Sequence, residues 1–143
     1  MVLKWVVYME ETTPCTYCGD IAATRDHVPP VSVALRLGLP TKIVPACHEC
    51  NVLLGNRPPW YSVLARRRTI GIRLRHRYAK ALRIPKWRED EIETLGPELQ
   101  RVVREGLAAQ RRARARLAWT AQSAVVHFLL VNFTRNGARR GAG

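Results

Sequence analysis

Acidic side chains are absent from residues 59–88 of this 143-residue chain. Residues 59–143 hold nineteen Lys/Arg against six Asp/Glu, whereas residues 1–58 hold five of each, so the net charge of +13 comes entirely from the second part. A field so one-sided points to phosphate groups or another anionic surface. The bland alternative is a solvated basic face. Also missing is any long apolar run. Residues 2–9, Val-Leu-Lys-Trp-Val-Val-Tyr-Met, are too few to span a bilayer, so no membrane partner is expected. They lack a small-residue cleavage site before Glu10-Glu11, which argues against a secretory leader. There is no internal repeat, no recognisable base-reading element, and no cysteine beyond four.

Those four form two Cys-x-x-Cys pairs, Cys15-Thr16-Tyr17-Cys18-Gly19 and Cys47-His48-Glu49-Cys50-Asn51. Two such pairs on separate turns are the usual way to build a tetrahedral thiolate zinc site, so Cys15, Cys18, Cys47 and Cys50 are read as structural Zn²⁺ ligands. Two disulfides or a redox pair are the alternatives, and disulfides need an oxidising compartment. Free thiols fit a reducing cytosol, so a cytoplasmic location is expected. A staple here draws together Arg25-Asp26-His27-Val28-Pro29-Pro30, midway between the pairs, and Asn51, directly after the last ligand.

Phosphodiester hydrolysis needs an activated water and a way to neutralise the scissile phosphate. Neutral imidazole takes a proton near physiological pH, so His27 is the candidate general base. Asp26 offers a hard carboxylate oxygen and Asn51 an amide oxygen, a pair suited to Mg²⁺ or Mn²⁺. The bland readings are an Asp turn for Asp26 and a helix cap for Asn51. His48 reads as an exposed loop residue, and His76 and His127 as structural helix residues.

The combined pattern, Cys-x-x-Cys-Gly, then Asp-His-Val-x-Pro, then Cys-x-x-Cys-Asn, resembles the zinc-stapled branch of the HNH nucleases, also called His-Me finger or ββα-metal nucleases. The resemblance covers about residues 12–57. It implies a ββα fold, DNA as substrate, His27 activating water, and Asp26 and Asn51 holding the catalytic metal. It also implies products with a 5′-phosphate and a 3′-hydroxyl. The family usually has an Asn or His near the start of the second strand to orient the base. Thr41-Lys42-Ile43 stands there instead, with Thr41 offering a hydrogen bond and Lys42 a phosphate contact.

Taken in order, residues 2–9 read as a strand or a short helix. Residues 21–25 are a strand candidate leading to Asp26-His27, which Val28-Pro29-Pro30 should leave at a strand end. Residues 32–37 read as a helical turn stopped at Gly38, and 42–44 as the paired strand with Pro45 at its end. Residues 49–54 read as a helix ending at Gly55. Pro58-Pro59 marks a boundary. From Trp60 to Leu82 apolar residues fall on one helical face, with Arg66, Arg73, Arg77 and Lys80 beside them and Gly71 as a weak point. Residues 89–93 form a short acidic helix. Pro97 opens a long helix whose stripe includes Leu99, Val103, Gly106, Ala113 and Leu117, with Arg101, Arg104, Arg111, Arg112 and Arg116 mostly on the other side. Ala124 to Phe133 is apolar almost all round and should be buried, on the body of the protein or on a second copy.

The expected architecture is α+β: a zinc-stapled ββα module over 1–58, a basic helical extension over 59–134, and a disordered tail over 135–143. The expected function is that of a metal-dependent DNA endonuclease. DNA would be held by Arg66, Arg73, Arg77, Lys80, Arg111 and Arg112. A non-catalytic zinc protein that binds nucleic acid is the second reading, and a protein-interaction adaptor resting on the apolar end of the last helix is the third.

Overall fold

The computed structural model describes residues 13–122. The expectations for 2–9, His127, the apolar 124–133 segment and the 135–143 tail lie outside them. Two strands, β1 (Thr24–Val28) and β2 (Lys42–Ala46), pair antiparallel, with Asp26 opposite Val44 and His27 opposite Ile43. Helix α1 (Val31–Leu37) connects them, stopped by Gly38 in the left-handed conformation (φ 64°). Helix α2 (His48–Leu54) follows β2 at once. The fold is α+β.

The strand begins later than residues 21–25 suggest. Ile21 bridges back to Pro14, and the Ala22 N–H bonds the Thr13 carbonyl, so that stretch closes the first cysteine turn instead. His27 therefore lies inside β1, one residue before its end. Pro45 also lies inside its strand rather than at the end. In a two-stranded sheet each strand keeps one open edge, where a missing N–H removes no ladder bond.

Helix α3 (Val63–Arg77) starts at Ser62, whose hydroxyl accepts from the Ala65 N–H, and breaks at Tyr78 before the short α4 (Ala79–Leu82). The expected helix from Trp60 to Leu82 is thus two pieces. Gly71 does not interrupt α3. A Cβ there would stand 2.6 Å from the Thr120 hydroxyl, so the missing side chain is what allows a close helix crossing. The acidic α5 (Glu89–Glu93) leads to α6 (Pro97–Thr120), with Pro97 in its first turn. Helix α6 packs on α3, α4 and α5. Its buried positions are Gln110, Ala113, Arg116 and Thr120, while Leu99 is exposed.

One core crosses the Pro58-Pro59 boundary. The four cysteines, Tyr17, Val28, Val44 and Leu54 cluster with Ile70 and Leu74 of α3, and Leu117 of α6 packs against them. Among the described residues no helix is long and apolar enough to cross a membrane.

Candidate metal centre and active site

The first cysteine turn is closed by backbone bonds from Gly19 N–H to the Cys15 carbonyl (2.9 Å) and Cys15 N–H to the Asp20 carbonyl (2.6 Å). Gly19 adopts φ 74°, where a side chain is strained, and a Cβ there would also meet the Trp119 ring at 2.5 Å. The second turn runs straight into α2. Cys47 is its N-cap, and its sulfur accepts from the Cys50 N–H at 3.4 Å.

All four sulfurs are buried and lie within 4.8 Å of one another. Cys18 Sγ and Cys47 Sγ are 3.7 Å apart. A tetrahedral ion with bonds of about 2.3 Å sets its sulfurs roughly 3.8 Å apart, so the spacing suits zinc. It is well beyond the ~2 Å of a disulfide. The charge environment suits zinc as well. Arg116, buried on α6, points Nη2 at Cys47 Sγ and Cys50 Sγ, each at 3.7 Å. A tetrathiolate zinc centre is doubly negative, and a buried guanidinium offsets part of that. Hydrogen bonds among the four sulfurs lower the Cys47 and Cys18 thiols and raise those of Cys15 and Cys50. Burial disfavours the Arg116 charge, but the hydrogen bonds and charges of Glu49 and Cys18 together outweigh this and raise its pKa. Glu49 also accepts from Tyr78 Oη (2.8 and 2.9 Å) and pairs with Arg77 at 3.1 Å.

Beside the staple an open cleft of about 520 Å³ is lined by residues that include Arg25, Asp26, His27, Ser32, Asn51 and Asn56. The three candidate site residues thus share one cleft. Asp26 and His27 are neighbours on β1, with Asp26 on the buried face. Asn51 reaches β1 from α2, its Nδ2 donating to Thr24 Oγ1 (3.2 Å) and the Arg25 carbonyl (3.3 Å). Its amide nitrogen is engaged, so the amide oxygen is the atom that could ligate a metal. Asn51 is not a cap, because Cys47 has that place. The donor set of one carboxylate and one amide oxygen fits a hard divalent ion that keeps several waters. The Thr41 hydroxyl donates to the Pro29 carbonyl at 2.8 Å.

The arginines divide differently from the expectation. Arg66 is fully buried, its Nη2 donating to Asp26 Oδ2 at 3.1 Å and its other bonds going to backbone carbonyls, so it is withdrawn from the phosphate-facing set. Arg73 donates to the Leu53 carbonyl, Arg77 pairs with Glu49, and Arg112 pairs with Asp20 at 2.5 Å. Lys80 and Arg111 are exposed, as are His48 and His76. Arg116, expected to face away from the core, faces into it.

Tyr17, Glu49 and Arg116 are site residues that the motif pattern does not single out. For the arginines a signal exists. Arg66 sits between Val63 and Ile70, and Arg116 between Ala113 and Thr120, at helical spacing inside the buried stripes of α3 and α6. Set against protein-family models, curated proteins and solved structures, the chain has no match.

Proposed function

We propose that this chain is a divalent-metal-dependent endonuclease of the HNH type, hydrolysing DNA phosphodiester bonds on a zinc-stapled ββα module formed by β1, β2 and α2. The observation that carries the reading is the single cleft lined by Asp26, His27 and Asn51, next to four clustered cysteines. In this reading His27 accepts the proton of the attacking water as its oxygen bonds to phosphorus. The bond from phosphorus to the 3′-oxygen breaks, and that oxygen leaves as a hydroxyl after taking a proton from solvent. Asp26 and Asn51 would hold Mg²⁺ or Mn²⁺, which would supply charge neutralisation for the phosphate and the leaving oxygen. Exposed basic residues, Lys80 and Arg111 among them, supply the attraction for the backbone of DNA.

The test is purified protein with plasmid DNA, with and without Mg²⁺ or Mn²⁺. Cleavage should require the metal. His27→Ala should slow it by roughly 10²–10⁴-fold and leave DNA affinity nearly unchanged. Cleavage by His27→Ala at the wild-type rate would overturn the mechanism.

Two observations favour a second reading, a zinc protein that binds nucleic acid without cutting it. The Asp26 carboxylate already has a cationic partner in Arg66, and Thr41 gives its hydrogen bond to Pro29 rather than to His27. DNA binding without cleavage under any divalent metal would select it.

A further inference from the structure

The Asp26 carboxylate is gripped from one side. Tyr17 Oη donates to Oδ2 at 2.5 Å, and Arg66 Nη2 donates to the same atom at 3.1 Å. Both donors are wholly buried. The guanidinium is fixed in turn by the carbonyls of Pro59 (3.0 Å), Gly55 (3.2 Å) and Arg57 (3.4 Å). A carboxylate oxygen has two lone pairs, and the two donors fill those of Oδ2. The opposite oxygen, Oδ1, takes neither bond.

Resting on the active-site reading above, we propose that Tyr17 and Arg66 are positioning residues that clamp Oδ2 and present Oδ1 alone to a divalent cation in the cleft. The clamp makes Asp26 a one-oxygen ligand and fixes the direction in which it points. It also joins the two metal sites. Tyr17 lies between Cys15 and Cys18, so the turn that holds zinc also holds the carboxylate. Arg66 offsets part of the Asp26 charge, which weakens the pull on a cation until a phosphate adds its own negative charge.

Mn²⁺ serves as the probe, titrated by electron paramagnetic resonance into the zinc-loaded full chain, with and without a short DNA duplex. Wild type should bind one Mn²⁺ in the cleft, more tightly with the duplex, and Asp26→Asn should abolish this binding. Tyr17→Phe keeps the ring and loses only the hydroxyl. It should weaken Mn²⁺ binding about 10–100-fold, the usual worth of a group that orients a metal ligand, with zinc content and circular dichroism unchanged. A folded, zinc-loaded Tyr17→Phe that binds Mn²⁺ like wild type overturns the clamp and leaves the nuclease reading standing. Wild type that binds no Mn²⁺ with or without DNA overturns the metal assignment itself. A second measurement needs no clamp variant. In carboxylate-labelled wild type, infrared difference spectra on Mn²⁺ addition should show the wider stretch splitting of one-oxygen ligation, removed by Asp26→Asn. The narrower splitting of two-oxygen ligation overturns the proposal.

Discussion

The cysteine cluster and the cleft beside it are built on opposite plans. The cluster is closed: its four sulfurs are buried and come from two short turns. The cleft is open, and its chemistry depends on residues far away in the chain. Each nevertheless has one buried arginine from the basic second part, Arg116 against the thiols and Arg66 against the carboxylate. A strongly basic sequence therefore does two jobs. Most of its cations face solvent, where they set up a positive field, while two have become internal counter-ions. Net charge alone counts both kinds as one.

The largest expected effect breaks the closed region. Cys47→Ser should release zinc and unfold the protein, because metal binding in small modules of this type contributes on the order of 10 kcal/mol to folding. Elemental analysis and circular dichroism check this, and well-folded wild type without zinc would contradict it. Next comes the counter-ion of the cleft. Arg66→Met leaves a buried carboxylate unpaired and should cost roughly 3–5 kcal/mol in urea unfolding. Arg116→Met should mainly affect the metal, weakening zinc retention about 10–100-fold in a chelator competition.

A smaller effect separates internal from external cations. If the surface charges hold DNA, neutralising Lys80 or Arg111 should reduce the slope of log affinity against log salt by about one for every phosphate that is no longer neutralised. A folded Arg66 variant should leave that slope unchanged. The smallest effect is on pH. Burial pulls the Asp20 carboxyl up, but the hydrogen bonds from Arg112 and the Ile21 N–H, with the charges of Arg112 and Arg116, together outweigh it, and the net pKa is lowered. Its stabilisation is present above the ordinary carboxylate pKa and is lost as pH falls through the lowered folded value. Arg112→Met should therefore narrow the gap between urea midpoints measured at pH 6 and pH 3.

Much of the site is legible in the sequence because its signals are local. The Cys pairs, Asp26-His27 and Asn51 are each fixed by neighbours in sequence, and Gly38, Gly55 and Pro97 mark helix ends by their own backbone preferences. The misplacements have one physical origin, which is partners distant in sequence. Nothing near Arg66 or Arg116 announces a carboxylate 40 residues earlier or sulfurs 66 and 69 residues earlier. Gly71 reads as a weakness until Thr120 is seen against it. Strand β1 starts later than its apolar pattern suggests because Ile21 and Ala22 serve the cysteine turn, a use that alternation does not register.

The distance from Cys50 to Arg116 also sets an order of events during synthesis. The last thiol precedes its guanidinium by 66 residues. At ordinary translation speeds that is roughly 3 to 13 s in which the four sulfurs exist without the helix that covers them. Trp119, whose indole N–H reaches back 103 residues to the Thr16 carbonyl, arrives later still. The nascent cluster thus meets the cell's zinc supply, and its oxidants, as an exposed group of thiols, and the arginine closes over whichever chemistry came first.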